Sequence, residues 1–165
     1  MTAAQHDPAR PALTDIGVIS DTHGLLRPEA VNALRGSQLI IHAGDVGNPQ
    51  ILDALRGLAP VAAVRGNVDG GGWAGALPMT EDLMIGARHL HVLHILADLT
   101  VDPAAAGICA VIYGHSHKPE ISYSGGVLYF NPGSAGPRRF KLPVTVGRLT
   151  LAGEDLRPEI IEIDC

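Results

Sequence analysis

Asp21 with His23, Asp45, Asn67, His94, and His115 with His117 all stand at the C-terminal ends of apolar runs. Carboxylate, imidazole and amide groups are the donors that hard to borderline divalent cations take, and no thiolate is among them. Seven such groups are too many for one tetrahedral ion. Two ions sharing a bridging carboxylate would use them all. A pair of ions held ~3.5–4 Å apart can generate hydroxide and clamp both oxygens of an in-line displacement at phosphorus. The spacing offers a geometric use as well: in an extended segment residues i and i+2 project to one side, so Asp21 and His23, or His115 and His117, could face one ion. Glycines beside these residues (Gly24, Gly44, Gly66, Gly114) let loops turn sharply and bring backbone close to a substrate. Alone, each residue has a plainer reading as a turn or cap residue, and the paired histidines as turn histidines.

The elements that must position them alternate in kind. "DIGVISDTHG" reads as a short β-branched strand, "RPEAVNALRG" as a helix with Pro28 in its first turn and Gly36 past its end, and "QLIIHAGDVG" as a second strand. "NPQILDALRG" is a second helix and "PVAAVRGNVDGGG" a third strand. This order argues for parallel βαβ units, whose active sites lie at the carboxyl ends of the strands. The second half is built of short strands with glycine turns: "SGG" suits a hairpin, "AGEDL" joins an antiparallel pair, and a helix is expected near "DPAAAG". Residues 1–13, rich in Ala and Pro, read as a flexible tail, and residues 14–165 as one domain.

Composition narrows the function. Hydrophobic residues make up 46% of 165 and aromatics only 4%, with 20 glycines, as expected for an aliphatic α/β interior with many tight turns. The net charge of -5 argues against an extended nucleic-acid or membrane-binding surface. Two cysteines, Cys109 and Cys165, make no disulfide framework. No apolar run reaches the roughly 20 residues needed to span a bilayer, and no signal peptide is evident, so a cytoplasmic setting is expected.

Five motifs occur in order: "SDTHG", "HAGD", "RGNVD", "GHSH" and "NPGS". Together they resemble the motif set of the calcineurin-like metallophosphoesterases, and most their compact bacterial and archaeal phosphodiesterase branch, over residues 15 to 163. The resemblance implies a four-layer α-β-β-α sandwich of two mixed sheets, with a two-metal centre at the strand ends. It implies that Asp21, His23 and His117 hold one metal, that Asn67, His94 and His115 hold the other, and that Asp45 bridges them. Asp45 and Asn67 are then the catalytic residues. The cofactors implied are two divalent ions, manganese first, with iron, zinc, nickel or magnesium as alternatives. The implied activity is hydrolysis of a small phosphodiester, with a homo-oligomer left open. Two alternatives are a phosphomonoesterase and a non-catalytic interaction scaffold like the vacuolar sorting subunit of retromer.

The chain departs from the family at two places. Larger relatives carry a histidine after the Gly-Asn pair where this chain has Val68, which leaves Asp69 as a neighbour that is either proton donor or structural. The fourth motif normally reads His-Gly, whereas here it is His94-Ile95. Elsewhere, His89 and His91 are expected to face solvent, and His42 to be a buried histidine that packs or supports the ligands. Asn131 and Ser134 line the pocket or make a turn, Arg138 and Arg139 are a solvated pair or a phosphate contact, and Trp73 caps the pocket or packs at the surface.

Overall fold

A computed structural model describes residues 13–165. The tail expected at residues 1–13 lies outside the described residues except for Leu13, whose backbone already pairs with Ala152. The elements run β1 (Leu13–Ile19), α1 (Pro28–Leu34), β2 (Leu39–His42), α2 (Pro49–Arg56), β3 (Val61–Ala63), β4 (Thr80–Ile85), β5 (Arg88–Leu93), β6 (Ile108–Ile112), β7 (Glu120–Ser124), β8 (Val127–Asn131), β9 (Thr145–Ala152) and β10 (Asp155–Glu162). Single 3-10 turns lie at Ala74–Ala76 and Leu96–Asp98.

Two five-stranded sheets result, in the orders β10-β9-β1-β2-β3 and β4-β5-β6-β8-β7. Both are mixed. β1 pairs in parallel with β2, and β2 with β3, as the βαβ alternation predicts; β9 and β10 add an antiparallel edge. In the second sheet β5, β6 and β8 are parallel, flanked by antiparallel β4 and β7. The hairpins expected at "SGG" and around "AGEDL" join β7 to β8 and β9 to β10.

Side-chain alternation along β1 shows how the layers form. Ile16 and Val18 face the other sheet, in a core with Ile41, Leu90, Val92, Ile112, Leu128, Phe130 and Leu149. Ile19 faces the opposite way and packs with Leu34 of α1 and Ile51, Leu52 and Leu55 of α2. Pro28 presets the first turn of α1, and the Asn48 side chain caps α2 by accepting from the Ile51 N–H at 3.3 Å. The order of layers is helices, sheet, sheet, and then a thin outer cover. That cover is Leu96 and Leu99, from the 3-10 segment, lying on Leu93, Val111, Tyr113 and Tyr129.

The helix expected near "DPAAAG" is one turn only, closed by Ala106 N–H to Asp102 O at 3.0 Å and Ile108 N–H to Pro103 O at 2.9 Å. β6 begins at Ile108 and claims the chain for the sheet before a second turn can form. Among the described residues no helix is long and apolar enough to cross a membrane.

The topology concentrates strand ends. β1, β2 and β3 are parallel in one sheet, and β5, β6 and β8 in the other, and the segments that follow them converge. Backbone bonds stitch the loops together: Asp21 N–H to Gly44 O and His23 N–H to Asp45 O, each 3.0 Å, and Gly114 N–H to His94 O, also 3.0 Å.

Candidate metal centre

Five of the seven candidate residues have left-handed backbone: Asp21 (φ 55°), His23 (46°), Asp45 (55°), His115 (73°) and His117 (63°). Only one other described non-glycine residue, Phe140, shares that conformation. Left-handed φ costs an ordinary L-residue on the order of 1 kcal/mol or more, and its clustering at one place marks a site that the surrounding structure holds against strain. The extended-segment use of the i, i+2 spacing is thereby corrected. His115 and His117 lie in a tight left-handed turn and face different groups, and Asp21 and His23 converge through a turn as well.

The first group is Asp21, His23 and His117, whose ligand atoms lie within 4.8 Å of one another. Asp21 Oδ1 stands 3.4 Å from His117 Nε2 and 3.8 Å from His23 Nε2, and the two imidazole nitrogens are 3.2 Å apart. The second group is Asp45, His94 and His115, equally close. Asn67 Oδ1 joins it, 3.1 Å from His115 Nδ1. Asp45 Oδ2 lies between the groups, 3.1 Å from His94 Nε2 and 3.7 Å from His23 Nε2. All seven residues expected from the sequence are thus brought together.

The atoms left free match what cations need. Asp21 Oδ2 accepts from the Ser20 hydroxyl at 2.9 Å and the His115 N–H at 3.1 Å, while the fully buried Oδ1 has no hydrogen-bond partner. His94 Nδ1 donates to Ala43 O at 2.7 Å, which leaves Nε2 with its lone pair; that atom too is buried and off hydrogen-bond alignment despite its proximity to Asp45. Asp45 Oδ1 accepts from the Val68 N–H at 3.0 Å, leaving Oδ2 to face both groups. Buried polar atoms without partners are costly, and two carboxylates facing four imidazoles is an arrangement that divalent ions stabilise.

Electrostatics favour the metal-binding form at Asp45 and His23 and oppose it at His94. Burial pushes the Asp45 carboxyl up, but contact with His94 and the bond from Val68 outweigh it and hold the group below the usual carboxylate range. Burial, reinforced by His117 and Arg139, lowers the His23 imidazole further than Asp45 and Asp21 raise it. Both shifts favour the deprotonated forms that bind metal, whereas His94 goes the other way: burial lowers it, but Asp45, Asp21 and the Ala43 carbonyl raise it on balance, so a metal there must displace a proton.

The neighbours that hold the ligands were mostly unread in the sequence. Gly114 is packed so closely on Ser20 Oγ and Asp21 Oδ2 that no side chain fits there. Gly44 serves His94 the same way: a Cβ would sit 2.6 Å from His94 Nδ1. Asn131 donates to Gly114 O and to Ser116 Oγ, each at 3.1 Å, and accepts from Gly133 N–H at 2.9 Å; Ser134 Oγ donates to Asp21 O at 3.0 Å. Of the two readings for "NPGS", the turn is present, in Gly133 N–H to Asn131 Oδ1 and Gly136 N–H to Ser134 Oγ, and the same two side chains also form a strut beneath both ligand loops.

Comparison with known proteins decides the family. A model of the calcineurin-like phosphoesterase superfamily domain matches residues 15–154. This chain belongs to that superfamily. A probable metallophosphoesterase from Methanocaldococcus jannaschii is 40% identical over 132 residues, covering 72% of this chain and 67% of the relative. A structure described as a novel archaeal phosphodiesterase shares the fold with a TM-score of 0.72 and 24% identity, over 90% of this chain and all of the other. Vacuolar Protein Sorting 29 from Cryptosporidium parvum does so with a TM-score of 0.80 and 17% identity, over 92% of each chain.

Within this calcineurin-like phosphoesterase the open residues now have places. Asp69 accepts three backbone N–H groups: Gly66 at 2.9 Å and Val46 at 3.2 Å on Oδ2, and Gly47 at 3.0 Å on Oδ1. It clips the second motif loop to the third, with both carboxylate oxygens engaged by backbone N–H groups. Ile95 has extended backbone (φ -109°, ψ 114°) that does not demand glycine, and the crowding around His94 is relieved by Gly44 instead. His42 is fully buried, accepts from Gly44 N–H on Nδ1 at 3.1 Å and donates from Nε2 to Thr22 Oγ1 at 3.0 Å; Thr22 in turn donates to Val46 O at 2.8 Å. Burial lowers its pKa to about 4, so it is a neutral support between two ligand loops.

His89 and His91 do not both face solvent. His91 is 7% exposed and His89 half-buried, and both bond Asp82 Oδ1, at 2.8 and 2.7 Å, because β4 pairs Asp82 directly across from His91. Trp73 is half-buried against the helix-side core. Arg138 and Arg139 are exposed, with Arg139 near enough to His23 to lower its pKa.

Proposed function

We propose that this chain is a phosphodiesterase that works through two divalent ions, one held by Asp21, His23 and His117, the other by Asn67, His94 and His115, with Asp45 shared between them. The observation that carries this reading is the pair of ligand groups meeting at Asp45 Oδ2, with buried, unpartnered atoms on Asp21 and His94 turned into the site. Bound there, the ions would activate a water and neutralise charge at phosphorus. The chain's own residues do the rest. Asp45, kept ionised, orients its Oδ2 through the Val68 N–H on its other oxygen. Asn67 would ligate through Oδ1, which leaves its amide nitrogen to donate to a phosphoryl oxygen as charge develops in the transition state. With manganese first among the metals expected, the cytoplasm supplies both the ion and soluble phosphoester substrates.

The fold shared with Vacuolar Protein Sorting 29 sustains a second reading, a scaffold that binds partners without turnover. Ligand completeness favours the enzyme: every expected position carries a competent donor, and Ile95 disturbs none of them. Metal binding alone leaves both readings standing, so the test is turnover. Manganese-reconstituted protein is assayed on bis-p-nitrophenyl phosphate and p-nitrophenyl phosphate, beside Asp45→Asn and His117→Ala. Diester hydrolysis lost in both variants supports the proposal. Absence of turnover with any divalent metal, despite two bound ions, leaves the scaffold.

A further inference from the structure

A cavity of about 340 Å³ opens beside the second ligand group, and Asn67 and His94 form part of its wall. The rest of the lining divides by chemistry. Met79, Leu93 and Ile95 make an apolar face; Arg65 stands on the side that leads to Asn67, two residues on; Asp98 is exposed at the rim. Arg65 is half-buried, its Nε–H reaches only the Met79 sulfur at 3.2 Å, and no carboxylate among the described residues lies within 4 Å of it. A thioether is a weak acceptor, so this guanidinium is available to an anionic ligand.

We propose that this cavity is the subsite for one ester group of the substrate, and that it selects a compact, uncharged, apolar group such as an aryl ring. The inference rests on the phosphodiesterase reading. A phosphoryl group at the metal centre would lie where Arg65 can contact a non-bridging oxygen, and its substituent would extend across Ile95 and Leu93. Asp98 at the rim disfavours a second negative charge on that substituent by like-charge repulsion, which its exposure to solvent weakens. The volume lies at the small end of ligand pockets, which suits one ring or a short branched chain rather than an extended polymer. Ile95, the residue that departs from the family's glycine, thus becomes the specificity wall. A glycine there would leave the cavity without its central apolar contact.

Binding of symmetric diesters tests this without regard to which group leaves. Diphenyl phosphate and dimethyl phosphate are titrated calorimetrically into the manganese-loaded protein, its Ile95→Gly variant and its Ile95→Trp variant. The wild type should prefer diphenyl phosphate by about tenfold or more, the factor that ~1.4 kcal/mol of apolar contact gives. Ile95→Gly, whose backbone is compatible with the site, should reduce that ratio severalfold by removing the wall, and Ile95→Trp should bring it near unity by filling the cavity. Equal affinities for the two esters in the wild type, or a ratio that neither variant moves, would overturn the subsite while leaving the phosphodiesterase reading intact. Failure of both esters to bind, with no diester turnover, would overturn both.

Discussion

Removing the Asp69 carboxylate tests whether this residue is a clip or a proton donor. Its three acceptor contacts tie Val46 and Gly47, just after the bridging Asp45, to Gly66, just before Asn67. Hydrogen bonds to a charged group contribute roughly 1.5–3 kcal/mol each, but the Gly47 N–H is exposed and water can replace its partner. The other two lie in a partly buried setting. Asp69→Ala should therefore cost about 3 kcal/mol. At 2–4 °C per kcal/mol for a domain of this size, that lowers Tm by roughly 6–12 °C. Calorimetry on chelator-treated protein reads this directly, free of any contribution from bound ions. Asp69→Asn keeps one acceptor oxygen and should fall between. A proton donor would behave differently: Asn would keep Tm and lose turnover only on esters whose leaving group needs a proton, sparing p-nitrophenolate. A Tm unchanged to within about 2 °C in Asp69→Ala would refute the clip.

Two further substitutions probe the supports of the ligand loops. Folded His42 has its pKa depressed from 6.5 to about 4, so between those values the unfolded chain holds the extra proton and stability falls as pH falls. The loss is absent above 6.5 and complete below about 4, where it amounts to about 3 kcal/mol. Urea unfolding of the metal-free protein across this window, beside His42→Gln, should show a shallower pH slope in the variant; parallel slopes would contradict the assignment. In Gly44→Ala the new Cβ would sit 2.6 Å from His94 Nδ1 on backbone at φ 101°. His94 must then leave its bond to Ala43 O, and bound manganese, counted by elemental analysis, should drop from two ions per chain to one; retention of two would contradict the role given to Gly44 in seating His94.

How far the sequence could be read follows from how local each feature is. The carboxyl ends of β1, β2 and β3 were legible because apolar runs ending in Asp, His or Asn carry both the strand and the donor in one stretch. Asn131 and Ser134 were ambiguous because their partners, Gly114 O, Ser116 Oγ and Asp21 O, come from distant segments. The same holds for His91, whose burial depends on β4 setting Asp82 against it. Left-handed backbone at Asp21, His23, Asp45, His115 and His117 is uncommon even for Asp and His, which tolerate it better than most residues, so no local rule announces it. The short "DPAAAG" turn misled for the opposite reason: its helical propensity is real, and the sheet overrides it at Ile108.

The central claim is that one cluster holds two ions around Asp45. Anomalous diffraction from crystals of the manganese-loaded protein addresses it most directly. Two peaks are expected, one among Asp21, His23 and His117, the other among Asn67, His94 and His115, with Asp45 Oδ2 between them. No peak there, or a single peak that Asp45→Asn leaves in place, would contradict it.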